Sequence, residues 1–282
     1  MLLSAEGLRV AYPDRSRRRL FGAPPMTEVL RGVDLHVLAG EAVGIVGESG
    51  SGKSTFARAL MRLVEPSGGA VVFEGRDITR LPEEDLRPLR ARMQIVFQDS
   101  QSALNPRRTV GAILAEPFLV SGRAKSPAEA RALVAGVLKK VDLPESFLGR
   151  YAHQFSGGQR QRVGIGRAIA LDPAILVADE IVSGLDVSVQ AQILQLLAGL
   201  RRSAGLTLLL ISHDLSVVRA CCDRVVLMEK GAIVEQGPCE AVFSRPQHAY
   251  TRRLLRAIPL PEVDPAWVHA VAVEAGETAP AA

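Results

Sequence analysis

The stretch Ala42-Val43-Gly44-Ile45-Val46-Gly47-Glu48-Ser49-Gly50-Ser51-Gly52-Lys53-Ser54-Thr55 decides how this chain folds. Ala42 to Val46 is a short apolar run, the pattern of a strand buried on both faces. Gly47 to Ser54 then matches the spacing G-x-x-x-x-G-K-[ST] in full, and a helical pattern follows. Strand, glycine-rich turn and helix in that order fold into a nest of backbone N–H groups aimed at phosphate oxygens. The positive end of the helix dipole adds to the attraction. Lys53 brings a point charge to the β- and γ-phosphates of a nucleotide, and the Ser54 hydroxyl is placed to ligate Mg²⁺. A Gly/Ser-rich linker with a chance lysine would share the composition but lack the flanking strand and helix.

Working outward, Ile175-Leu176-Val177-Ala178-Asp179-Glu180 is an apolar strand ending in two carboxylates. Asp179 at the strand end suits Mg²⁺, often through water. Glu180, one residue further, points elsewhere and suits a general base that polarises water. Met93–Phe97 and Leu206–Ile211 read as further buried strands, while Val33, Leu35 and Val37 alternate with Asp34 and His36 as a half-buried one. Helices lie between them. Ser126-Pro127-Ala128-Glu129 has the form of a capping box with proline at the first helical position, and opens a helix to about Lys140. Val189, Ile193, Leu196, Leu197 and Leu200 keep helical spacing behind Asp186, a capping residue. Strands alternating with helices predict an α/β fold with a largely parallel sheet. From about Gln98 to Ser156 no strong strand occurs, which predicts a helical insertion. The tail beyond Trp267 reads as poorly ordered.

Composition narrows the function classes. The 34 Lys+Arg against 30 Asp+Glu leave a net charge of +4, and only five of those cations are Lys. With aromatic residues at 4%, base-stacking platforms have little to be built from, so no nucleic acid is expected as a partner. Three cysteines cannot frame a disulfide scaffold. No apolar run approaches the roughly 20 residues that span a bilayer. Met1-Leu2-Leu3-Ser4-Ala5-Glu6 lacks the layout of a signal peptide, so a reducing, cytoplasmic location is expected.

Phe155-Ser156-Gly157-Gly158-Gln159-Arg160-Gln161-Arg162 resembles the signature motif of ATP-binding cassette (ABC) transporter ATPases. Other landmarks of that family fall in its order. Gln98 matches the Q-loop, Ser183-Gly184-Leu185-Asp186 the D-loop, and Ile211-Ser212-His213-Asp214 the H-loop. The resemblance, over about residues 2 to 260, implies a P-loop NTPase (RecA-like) core with a β-rich N-terminal arm and an inserted helical subdomain. It implies an ABC ATPase domain at 1–260, with the helical subdomain at 98–164, and a family-specific C-terminal extension and tail at 241–282. The cofactors implied are ATP and Mg²⁺. Catalytic roles fall to Glu180, His213 and Gln98, and metal binding to Ser54, Gln98 and Asp179. Nucleotide contacts fall to Tyr12, stacked on adenine, to Gly47, Glu48, Ser49, Gly50, Ser51, Gly52, Lys53, Ser54 and Thr55, and to Ser156, Gly157, Gly158, Gln159 and Asp186. In this family the signature faces ATP held by the other subunit, so two cassettes close head to tail.

A narrower resemblance lies in Ser102-Ala103-Leu104-Asn105-Pro106-Arg107-Arg108-Thr109-Val110-Gly111 followed by Ala115-Glu116-Pro117, in Tyr151-Ala152-His153-Gln154 and in Arg245-Pro246-Gln247-His248-Ala249-Tyr250-Thr251-Arg252-Arg253-Leu254-Leu255. These segments, with Leu20-Phe21-Gly22, are similar to the oligopeptide/dipeptide/nickel importer ATPases. That group implies a second, non-identical ABC ATPase, two permeases and an extracytoplasmic solute-binding protein. It places the chain peripherally on the cytoplasmic face of the inner membrane, with peptides or small solutes such as nickel or metallophores as cargo. No cysteine follows Cys239, so the chain resembles the partner without an iron–sulfur cluster. Two positions depart from the family pattern. Ile181 stands where Pro is usual and Gly184 where Ala is usual, which predicts a looser loop around Glu180.

Overall fold

Alternation along the central strands builds two cores from one sheet. Ala42–Val46 forms β3, buried at every residue. Ala42 and Val46 face one apolar cluster while Val43 and Ile45 face another. The same parity holds for Ile175–Asp179 (β7) and Thr207–Ser212 (β8): Leu176, Ala178, Leu208 and Leu210 join the first cluster, and Ile175, Val177, Leu209 and Ile211 the second. Strands pressed between two cores need apolar residues at both parities, which is why they read as unbroken runs. The computed structural model describes residues 1–14, 25–97 and 104–257. Leu20-Phe21-Gly22, Gln98, Ser102, Ala103 and the tail beyond Trp267 lie outside the described residues.

The central sheet adds Met93–Val96 (β6), Arg224–Glu229 (β9) and Ala232–Pro238 (β10), in the order β10-β9-β3-β8-β7-β6. Its pairings are parallel from β9 to β6, and β10 runs antiparallel along β9. A second, four-stranded sheet of order β2-β1-β4-β5 is antiparallel, from Leu3–Pro13 (β1), Met26–Val37 (β2), Gly68–Phe73 (β4) and Arg76–Asp77 (β5). In β2 the expected alternation holds: Val33, Leu35 and Val37 are buried, Asp34 and His36 exposed. Lys53–Leu60 (α1) lies on the second core and buries Phe56, Ala57, Ala59 and Leu60. Glu83–Arg90 (α2) precedes β6.

From residue 104 to Ser156 the described chain is helical, with Val110–Val120 (α3), Pro127–Lys140 (α4), two short 3₁₀ turns and one isolated bridge between Thr109 and Tyr151. Ser126 caps α4 as expected, its Oγ accepting from the Glu129 N–H at 3.2 Å. The reciprocal half of the box differs. Glu129 accepts from the Lys125 N–H at 2.8 Å, one residue upstream of the cap. Gly157–Ile169 (α5) packs on this region and on Val187–Ala204 (α6), which Asp186 caps through the Val189 N–H at 3.0 Å. Leu215–Cys221 (α7), Cys239–Ser244 (α8) and Ala249–Ala257 (α9) follow.

Register places the chemistry. Val46 pairs with Ser212, and Asp179 with Ile211, so β3, β7 and β8 end side by side. The turns that leave their carboxyl ends share one edge, where parallel sheets collect ligands.

Candidate nucleotide site

The glycine-rich turn sits between the end of β3 and the start of α1. Lys53 curls back over it: its ammonium donates to the Gly47 carbonyl at 2.7 Å and the Glu48 carbonyl at 2.9 Å. The residue is 4% exposed. Burial lowers its pKa, and the carboxylates of Glu180 and Asp179 oppose that shift. Gly52 caps α1 at φ 104°, a conformation that L side chains avoid, so the second glycine of the motif is required by backbone sterics. The first is required by space. A Cβ on Gly47 would stand 2.3 Å from the Met228 carbonyl and 2.6 Å from Ser51 Oγ. That Ser51 hydroxyl is buried and has no hydrogen-bond partner within the protein. From outside, the turn is strapped by the Gly231 N–H, which donates to the Ser51 carbonyl at 2.9 Å.

The acid strand meets the cradle directly. Ser54 Oγ donates to Asp179 Oδ1 at 3.1 Å. Burial raises the Asp179 pKa; the Ser54 hydrogen bond works against it and the neighbouring Glu180 charge with it. Glu180 turns the chain with φ 51°, in the left-handed region, while its N–H stays on β8 through the Ile211 carbonyl at 3.0 Å. That turn is how adjacent carboxylates come to face different ways. Glu180 Oε2 lies 3.6 Å from His213 Nδ1, within ion-pairing reach but beyond a hydrogen bond. The two line a small recess with Ser183, Gly184 and Ser212.

The loop after Glu180 is not loosened at Ile181. That side chain is 1% exposed, packed in the first core, so burial supplies the restraint that proline would have supplied covalently. Gly184 has φ 75°, where an alanine would cost roughly 1–2 kcal/mol. Glycine there answers a backbone requirement rather than adding slack.

The signature residues belong to a different neighbourhood. Ser156 caps α5: its Oγ accepts from the Gln159 N–H at 3.3 Å, and Gln159 Oε1 accepts from the Ser156 N–H at 3.1 Å. Gly157 and Gly158 allow Leu185 and Val189 to close on the turn, since a Cβ on Gly158 would stand 2.4 Å from Val189 Cγ1. Asp186 is exposed and engaged as a cap, with Ser188 Oγ donating to it at 2.7 Å. Tyr12 is 39% exposed near the end of β1. Lys53, Ser54, Asp179, Glu180 and His213 are thus gathered at one edge, while Ser156–Gln159 pack on the start of α6. Gln98 lies outside the described residues.

One residue at the cradle, Tyr250, was legible in the sequence only as part of a family-like segment, with no role attached. The Glu48 N–H donates to the Tyr250 hydroxyl at 2.9 Å, across 202 residues of chain.

A parallel sheet whose carboxyl edge carries this turn, with a hydroxyl and two acids opposite, defines a nucleotide-binding ATPase of the P-loop class. The ABC transporter family model matches residues 30–183, and the model for the oligopeptide/dipeptide transporter C-terminal region matches residues 234–279. The chain belongs to the ABC transporter ATPase family. It is 43% identical over 265 residues to the oligopeptide transport ATP-binding protein OppF of Escherichia coli K12, covering 94% of this chain and 79% of that one. It is 47% identical over 263 residues to a Brucella ovis ATP-binding protein with a provisional assignment to peptide import, covering 93% and 80%. Among solved structures, the dimeric ABC transporter cassette MJ0796 superposes with a TM-score of 0.74 at 30% identity, over 84% of this chain and 99% of that one. The same cassette in a post-hydrolysis state with ADP and Pi gives 0.73 at 30% identity, covering 84% and 99%.

Proposed function

We propose that this chain is the ATP-hydrolysing subunit of an importer for peptides or related small solutes, and that hydrolysis runs through the residues gathered at the carboxyl edge. The observation that carries the reading is the Lys53 ammonium buried between the cradle carbonyls and two carboxylates. A buried cation beside an orphaned Ser51 hydroxyl is a site prepared for anionic oxygens. The ATP phosphates take the cradle, Gly47 to Thr55, and adenine stacks on Tyr12.

Ser54 and Asp179 would hold Mg²⁺; both offer oxygen, and a site of one carboxylate, one hydroxyl and substrate phosphates suits that hard cation. When bound, the metal supplies charge to neutralise phosphate oxygens. Glu180 accepts a proton from the attacking water as the new bond to the γ-phosphorus forms and the β–γ bridge breaks, releasing ADP. His213, 3.6 Å from that carboxylate, hydrogen-bonds the γ-phosphate or the attacking water. The first-turn N–H groups of α5, at Gly157 and Gly158, face ATP in a second ABC ATPase, so neither site is complete alone. Closure on ATP and opening after hydrolysis then drive two permeases, with an extracytoplasmic binding protein delivering cargo and this subunit on the cytoplasmic face of the inner membrane. No described helix is long and apolar enough to cross a membrane, which agrees with a peripheral place. The C-terminal match and the names of the relatives favour peptides.

The test is reconstitution of the assembled importer with its binding protein, followed by ATPase measurement over a panel of peptides, nickel and metallophores. Stimulation by peptides is expected. Stimulation by none, or by nickel alone, would overturn the cargo assignment.

A further inference from the structure

The C-terminal helix touches the phosphate turn at one buried point, and that point is a hydrogen bond to the turn's backbone. Tyr250 is 2% exposed, and burial pushes its phenol up, so the hydroxyl stays protonated and accepts from the Glu48 N–H. The stretch before the helix is anchored independently of the cradle. Glu235 on β10 accepts from the Gln247 N–H at 2.8 Å and the His248 N–H at 2.9 Å, and Thr251 Oγ1 donates to it as well. His248 Nδ1 in turn accepts from the Tyr250 N–H at 3.2 Å. Tyr250 is therefore held rigidly on one side and binds the second residue of the cradle on the other.

A further contact exists at the rim. Arg253 reaches Glu48 Oε1 at 3.7 Å and Glu229 Oε1 at 3.3 Å, and its guanidinium lies 5.1 Å from the Tyr250 ring centre. The Arg253 and Glu48 side chains are each about three-fifths exposed, and exposed ion pairs contribute little. The buried hydroxyl is the contact with consequence, because losing it strands a backbone N–H that is only partly open to water.

We propose that Tyr250 is a positioning residue for the nucleotide site, and that through it the C-terminal helix Ala249–Ala257 is coupled to ATP binding. This rests on the reading of Gly47–Thr55 as the ATP phosphate site. The hydrogen bond holds the first peptides of the turn in their cradle geometry before ATP arrives. Without it, fewer molecules have the turn ready, and apparent affinity falls by that fraction. Coupling is reciprocal, so bound ATP steadies the helix by the same factor.

The experiment uses the full-length protein and the non-hydrolysable β,γ-imido analogue of ATP. Tyr250→Phe removes the acceptor and keeps the ring. Its affinity for the analogue should fall roughly three- to tenfold, the range of one net hydrogen bond. Turnover of the assembled complex at saturating ATP should stay within about twofold, splitting KM from kcat. Amide exchange across 249–257 should slow on adding the analogue to the wild type, and should not respond in Tyr250→Phe. A tyrosine that served only to pack the helix would alter exchange there with or without nucleotide and leave affinity alone. Unchanged affinity in Tyr250→Phe overturns the proposal. So does wild-type exchange across 249–257 that ignores the analogue, a measurement that needs no variant to fold. Lys53→Ala separates the two readings: if it binds the analogue as the wild type does, the phosphate site itself is misassigned. If it loses affinity while Tyr250→Phe does not, only the coupling fails.

Discussion

Two helices in this protein begin with a serine and glycines, and they end their backbone accounts differently. At α5, Ser156 and Gln159 satisfy each other's N–H groups in a closed box. At α1, the cap is Gly52 with no side-chain cap, and the nearby Ser51 hydroxyl is buried without a partner in the protein. Orphan donors and buried polar atoms cost stability unless something fills them. At α5 the box satisfies the Ser156 and Gln159 N–H groups and no others, while at α1 the chain leaves a buried hydroxyl unpaired. Glycine content alone does not distinguish the two helix starts; what the serines do distinguishes them.

The comparison is broken most severely at the chemistry facing α1. Glu180→Gln should lower turnover of the assembled complex by roughly 10²–10⁴ while ATP still binds. Lys53→Ala should lose binding itself, because it removes the cradle's buried charge. Equilibrium binding and single-turnover hydrolysis on both variants check this; equal loss of affinity in the two would erase the separation of roles.

Asp179 tests the same end through pH. Burial raises its pKa above the ordinary 3.8, so the folded state holds that proton to higher pH than the unfolded chain does. Its contribution to stability therefore falls as pH rises from the ordinary value through the folded one, and stays lost above it. Ligand-free Asp179→Asn should melt at a higher temperature than the wild type at neutral pH. That advantage should vanish near pH 3.8, and Mg²⁺-dependent turnover should be lost. Thermal melts across pH, with ATPase assays alongside, decide it. A melting temperature lowered at neutral pH would contradict the stated cost of the buried carboxylate.

Two serine truncations then sharpen the contrast. Ser156→Ala opens the closed box and should destabilise the protein by about 1 kcal/mol, with or without nucleotide, as read by denaturant unfolding. Ser51→Ala should not lower ligand-free stability, since its buried hydroxyl has no partner to lose. Its effect should appear only as a smaller rise in melting temperature on adding ATP. Similar ligand-free losses in both variants would show that the two helix starts are alike after all.

Much of the site was legible because its parts are local. The turn from Gly47 to Ser54, the strand end at Asp179 and Glu180, and the caps at Ser126 and Asp186 each rest on backbone needs met within a few residues. The central strands were legible because both parities must be apolar between two cores. Where the reading slipped, distant packing had intervened. Ile181 suggested a loose loop by its lack of a ring, yet the first core holds it at 1% exposure. Glu129 was expected to complete its box on Ser126 and instead satisfies Lys125.

By itself the amino-acid sequence determined which backbone shapes recur and in what order: a glycine-rich turn between strand and helix, buried parallel strands, acids at a strand end, capped helices. Those follow from sterics and hydrogen bonding between near neighbours, which residue types at short spacing encode. Only the tertiary structure decided which distant groups meet. It set Ser54 on Asp179, aimed Glu180 at His213 through a left-handed turn, and placed the Tyr250 hydroxyl on the Glu48 N–H. Such pairings depend on sheet order and register, and these emerge when whole strands and helices bury their apolar faces together.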